Sequence, residues 1–193
     1  MEAKKFYTVE DLIQSEDEHV ELIDGEIVKR PMARSEHALI QSSISDEVSL
    51  LKRKRGSGGW WIMTEVSVEY NQQQCPSHDL AGWRKERLPR RPSGLMKLIP
   101  DWVCEITSPG HERKDLFHNF ILLQSNGVSY YWVISPEDKT LIAYQLVNEK
   151  YQVTFSIACR EREDFVKASI APFAEVEIDL SYVFGNTEPF GAG

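Results

Sequence analysis

The sequence predicts an α/β protein of α+β type: a central mixed β-sheet flanked by helices, preceded by an N-terminal helix and β-hairpin. Three observations predict it. A length of 193 residues suits one hydrophobic core. Short runs rich in β-formers alternate with segments of helical periodicity, in the order helix, hairpin, helix, strands, helix, strands. No internal repeat and no linker divides the chain, so residues 1–193 are read as a single domain.

Thr8-Val-Glu-Asp11 opens a helix, with Thr8 as N-cap and Asp11 completing a short capping box. Glu21 to Val28 reads as two short strands about Asp24-Gly25, a favoured tight-turn pair, and Pro31 ends the second. A long helix is expected from Ser35, its N-cap, to about Arg55. Leu39 or Ile40, Ile44, Val48 and Leu51 form its buried stripe, and Gly56-Ser-Gly-Gly59 stops it. Trp60–Tyr70 and His78–Trp83 read as strands, and 84–99 as a basic, proline-containing loop. Trp102–Ile106 is short and mostly apolar, as at a sheet centre. A helix over Glu112–Ser125 should bury Leu116, Phe117, Phe120 and Leu123, leaving through Asn126-Gly127. Val128–Ser135, Thr140–Leu146, Tyr151–Ile157 and a segment from Ile178 to Val183 complete the strands. Trp60-Trp61, Trp102 and Tyr130-Tyr131-Trp132 read as core and sheet surface.

Apolar residues at 41% and charged residues at 27% are a globular balance and exclude a disordered or low-complexity chain. No apolar run approaches the roughly 20 residues that span a bilayer, and no signal core opens the chain, so no membrane partner and a cytoplasmic location are expected. Cys75, Cys104 and Cys159 are widely spaced with no CxxC, which favours reduced thiols. The net charge is −8, yet Lys52-Arg53-Lys54-Arg55 and the run 84–91 hold 9 of the 22 basic residues and 1 of the 30 acidic ones. An acidic body with two basic clusters suits local contact with a polyanion rather than indiscriminate coating of DNA.

Two carboxylates could carry chemistry. Asp79 opens one strand and Glu105 lies in the next, among apolar neighbours. A carboxylate on a central strand costs several kcal/mol unless a metal, a cation or hydrogen bonds compensate. Two carboxylates and a backbone carbonyl form a minimal oxygen set for Mg²⁺ that leaves room for water and a phosphate. Asp101 shares Glu105's face but lies about 13 Å away along the strand, so it reads as a strand-start residue. His78 reads as structural.

Pro100-Asp-Trp-Val-Cys-Glu105-Ile-Thr-Ser-Pro109, Asp115 and Gly127-Val-Ser-Tyr-Tyr-Trp132-Val-Ile-Ser-Pro136 resemble a family described as putative restriction endonucleases of Uma type, within the PD-(D/E)XK nuclease superfamily. Tyr7–Leu12, Glu21-Leu-Ile-Asp-Gly-Glu26, His37 and Asp179-Leu-Ser also match, so the resemblance covers nearly the whole chain. It implies a restriction-endonuclease-like core. It also implies metal binding by Asp79, Glu105 and the Ile106 carbonyl, with Mg²⁺ or Mn²⁺ as cofactor and Glu21 and His37 in support. DNA would be the partner and phosphodiester hydrolysis the activity, with symmetric homodimers as the default assembly.

The departure lies in the catalytic cation. The superfamily places a Lys two residues after the Glu, and here that position is Thr107. The family's alternative position, four residues after the helix Asp, is Asn119. Lys114 is the nearest substitute, although it lies about 140° around the helix from 119. Two readings therefore stay open. One is a metal-dependent endonuclease with Asp79, Glu105 and Lys114 as catalytic groups. In it, Lys52, Arg53, Lys54, Arg84, Lys85, Arg87, Arg90 and Arg91 would contact phosphates. The other is a catalytically impaired relative acting as a nucleic-acid-binding or regulatory module.

Overall fold

The computed structural model describes residues 5–17, 19–30, 32, 34–108 and 112–185, and of residues 112–116 only the backbone. Helix α1 (Val9–Ile13) carries the expected capping box between Thr8 and Asp11. Strands β1 (Val20–Ile23) and β2 (Glu26–Lys29) pair antiparallel about Asp24 and Gly25, whose φ angles of 49° and 74° give the left-handed turn that the dipeptide favours. A Cβ on Gly25 would stand 2.7 Å from the Phe6 ring, so residue 25 is held to glycine by contact as well as by conformation.

The expected long helix is two helices, α2 (Ser35–Glu47) and α3 (Ser49–Arg53), which change direction at Val48. The turn keeps Ile40, Ile44, Val48 and Leu51 on the sheet, while Leu39 points to solvent. Ser35 is the first helical residue and not the cap; its hydroxyl bonds Glu36.

A six-stranded sheet follows in the order β3-β4-β5-β6-β7-β8, built from Trp60–Ser67, Ser77–Arg84, Trp102–Ile106, Tyr130–Ser135, Thr140–Val147 and Lys150–Ala158. Only β5 and β6 run parallel, joined by the crossover helix α4 (Glu112–Ser125). This is the expected mixed sheet with helices on both faces. One face carries α2, α3 and the aromatic group in which Phe173 meets Trp60, Trp102 and Trp132 edge-on at 4.8–5.5 Å. The other packs Trp83, Val103 and Tyr131 against Leu123 of α4. The tryptophan and tyrosine runs are thus core, as expected, and the three cysteines are buried and unbridged.

Phe117 is exposed, against expectation. Asn119 and Leu123 of α4 face the sheet, which turns Phe117 about 160° away from Asn119. The C-terminal segment is also corrected. Strand β10 (Ile178–Asp179) pairs with β9 (Lys167–Ala168), after which Asp179 caps the helix α5 (Leu180–Phe184) by accepting from the Ser181 and Tyr182 amides. Among the described residues no helix is long and apolar enough to cross a membrane.

Candidate metal centre

The site forms where the β3–β4 ladder is interrupted. Pairing runs through Thr64 and Leu80 and resumes at Val66 and His78. Between them Glu65 has φ 50°, a left-handed conformation that costs a non-glycine residue about 1–2 kcal/mol. Side-chain alternation slips there: Trp61, Met63 and then Val66 all pack on the α4 side.

Asp79 of β4 is only 8% exposed. Its Oδ2 accepts the Ile106 backbone N–H at 2.7 Å, and its Oδ1 lies 3.2 Å from His37 Nε2 on α2. The other ring nitrogen of His37 lies 3.4 Å from the Ser108 hydroxyl. The amide of Gln41, one helical turn beyond His37, donates to Glu65 Oε1 at 2.7 Å and to the Asp79 carbonyl at 2.8 Å. Arg30, just past β2, pairs with the other oxygen of Glu65. One ligand atom each of His37, Glu65 and Asp79 lies within 4.8 Å of the other two. Burial pulls the His37 pKa down, but the hydrogen bond and charge of Asp79, with Glu65 and Glu105 beyond, outweigh it and hold the ring above its ordinary value.

Glu105 on β5 is gripped from other directions. His78 Nδ1 is 2.5 Å from Oε1, the Asn119 amide donates to the same oxygen at 3.3 Å, and the Asp79 backbone N–H makes a long 3.5 Å contact to Oε2. His78 has no exposed surface, and its Nε2 meets the Tyr70 hydroxyl at 2.9 Å. Complete burial pulls the His78 pKa down to about 4, against the upward pull of Asp79 and Glu21.

Asp79 and Glu105 therefore stand on neighbouring central strands and touch through backbone and carboxylate. Ile106 presents its N–H to Asp79. Glu21 accepts the Ser77 amide at 3.1 Å, tying the hairpin to the start of β4. Thr107 donates its amide to Ile134, one strand over, and Asn119 reaches Glu105. The side chain of Lys114 lies outside the described residues. Asp101 serves the strand start, taking the Arg84 amide at 2.8 Å and Arg87 at 2.7 Å.

The basic residues divide by environment. Lys85 donates to the Lys52 and Lys54 carbonyls at the end of α3, Arg84 stacks 4.6 Å over Trp60, and Lys54 pairs with Glu175. Arg53, Arg90 and Arg91 are exposed. Lys52 lines an open groove of about 520 Å³ that follows the outer strand β3 from Ile62 past Glu65 to Ser67.

Sequence reasoning missed Glu65, Gln41 and Arg30. Glu65 sat in an ordinary polar-apolar alternation; no residue type nearby announces a left-handed glutamate. Gln41 could have been found as the i+4 neighbour of His37.

Residues 4–177 match the family model Uma2, described as "Putative restriction endonuclease". Among solved structures, a protein from Anabaena variabilis titled "a putative nuclease belonging to DUF820" superposes with a TM-score of 0.70 at 24% identity, covering 92% of this chain and 97% of that one. No curated protein matches.

Proposed function

Because the chain belongs to the Uma2 family of "putative restriction endonucleases", we propose that it is a divalent-metal-dependent endonuclease that hydrolyses phosphodiester bonds in DNA. The observation that carries this reading is the contact between Asp79 and Glu105 on adjacent central strands, with His37 against Asp79. Two carboxylates and the Ile106 carbonyl fit Mg²⁺ or Mn²⁺ by the chemistry of their donors. A bound ion supplies a more acidic water and neutralises charge on the phosphoryl group.

The chain's own groups do the rest. The Ile106 amide and His37 fix both oxygens of Asp79, and His78 and Asn119 fix Glu105. Lys114 is the cation proposed to steady the phosphate. Lys52 with the exposed Arg53, Arg90 and Arg91 would bind flanking phosphates, with Lys54, Arg84, Lys85 and Arg87 adding to the same positive field. A symmetric pair of chains would offer one such site to each strand of a duplex, and light scattering reads its mass.

Incubating supercoiled plasmid with the full chain and Mn²⁺ or Mg²⁺ tests the reading. Nicking that disappears in Glu105→Ala supports it. Cleavage that survives Glu105→Ala, or none from the unmodified chain, overturns it. One observation favours the second reading, a nuclease-fold module that binds nucleic acid without cutting it: among the described residues, the α4 side chain that bonds Glu105 is the uncharged Asn119. DNA retention with no cleavage under any divalent ion would select it.

A further inference from the structure

We infer that His37 Nε2, one oxygen of Glu65 and one oxygen of Asp79 form a mixed nitrogen–oxygen site that takes a first-row transition-metal dication in preference to Mg²⁺. The inference deepens the nuclease reading, from which it takes the divalent ion. It replaces Glu105 as the partner of Asp79 with two residues from other elements.

The three ligands come from α2, β3 and β4, and their atoms converge within 4.8 Å. The 3.2 Å between His37 Nε2 and Asp79 Oδ1 is the spacing of neighbouring ligands around a small ion whose bonds are about 2.1 Å.

Each ligand is also oriented by a second group that does not use up its binding capacity. Ser108 lies against Nδ1 of His37, which leaves Nε2 for the ion. The Ile106 amide holds Oδ2 of Asp79 and leaves Oδ1 toward His37. Gln41 and Arg30 brace the two oxygens of Glu65, and a carboxylate with roughly four lone-pair sites keeps room for a cation.

The donor set decides the preference. Mg²⁺ and Ca²⁺ favour all-oxygen shells, and Mg²⁺ keeps several waters. An imidazole beside two carboxylates suits later first-row ions, whose affinity for such sites rises from Mn²⁺ to Cu²⁺ and exceeds that of Mn²⁺ again at Zn²⁺.

The test is Mn²⁺ titration of the metal-free full chain, followed by electron paramagnetic resonance. Nitrogen coupling in the bound Mn²⁺ signal, binding that persists in a hundredfold excess of Mg²⁺, and at least tenfold weaker binding in His37→Gln and Glu65→Gln uphold the site. Broadening of the His37 ring signals by Mn²⁺ before those of His78 gives the same answer without a variant. Unchanged affinity in both variants, with binding lost in Glu105→Gln, overturns it. Mn²⁺ bound with nitrogen coupling but no plasmid cleavage would end the nuclease reading and leave the site standing. Cleavage with Mg²⁺ alone and no nitrogen coupling would do the reverse.

Discussion

His78 Nδ1 stands 2.5 Å from Glu105 Oε1, and the same ring meets the Tyr70 hydroxyl with its other nitrogen at 2.9 Å. A carboxylate only accepts, so Nδ1 carries the hydrogen that points at Glu105. In the neutral ring Nε2 then accepts from the Tyr70 O–H. The buried chain Tyr70–His78–Glu105 is satisfied in one direction only. His78→Leu leaves Glu105 short of a donor and should cost about 2–3 kcal/mol in urea unfolding. His78→Asn keeps a donor near the Nδ1 position and should recover at least half of that loss. Equal losses in the two variants would show that ring packing, not the hydrogen bond, is what matters.

Complete burial of His78 also sets a pH dependence. Its pKa is about 4 in the fold against an ordinary 6.5, so the unfolded chain binds the extra proton between those values. Stability from this group is complete above about pH 6.5 and is lost as the pH falls toward 4. The size of the loss is about 3 kcal/mol. Unfolding midpoints measured from pH 7 to pH 4 should drop with a slope near one proton, and His78→Asn should flatten that part of the curve. A slope unchanged by the substitution would assign the acid sensitivity to other groups.

The fold was legible because its signals are local. Asp24-Gly25 announces a turn, Thr8 and Asp11 a cap, and the apolar run at 102–106 a central strand; each is where it was read. Periodicity failed where tertiary contact chose the face: Asn119 turns inward to Glu105, and Phe117 is carried out to solvent. Of the candidate site, Asp79, Glu105 and His37 were legible as polar residues in apolar or helix-start settings. Glu65 was not, because its place depends on one backbone angle that its neighbours do not encode.

Five of the nine cations in the two basic clusters are engaged in the fold, Lys52 among them through the Ser45 hydroxyl at 2.7 Å, which separates their roles. Lys85 holds the end of α3 through two carbonyls, so Lys85→Met should lower stability by about 1–2 kcal/mol. Arg90 and Arg91 are exposed. Replacing both with Gln should leave unfolding unchanged. If each meets a phosphate, it should also reduce the slope of log affinity for duplex DNA against log salt by about 2. Fluorescence anisotropy between 50 and 200 mM salt, roughly the range where such contacts dominate, reads that slope. An unaltered slope would remove the loop from the DNA contact.

The Asn119 amide lies 3.3 Å from Glu105 Oε1, close enough for a longer cationic side chain at 119 to enter the same space. An amide can orient a water molecule, but it adds no charge to oppose the one that builds on phosphorus. Removing one such stabilising donor from an enzyme typically costs 10²–10³ in rate. Asn119→Lys should therefore raise plasmid nicking by about 10²-fold if the remaining groups are competent, with Glu105→Ala in the same background abolishing the gain. The new ammonium would also sit beside a buried carboxylate already paired with His78, so the variant should unfold no earlier than the parent chain. A rise that survives Glu105→Ala would place the chemistry elsewhere. No rise, in a chain that binds Mn²⁺ and DNA, would mean that charge at 119 is not what the site lacks, and the non-cleaving module would become the better description.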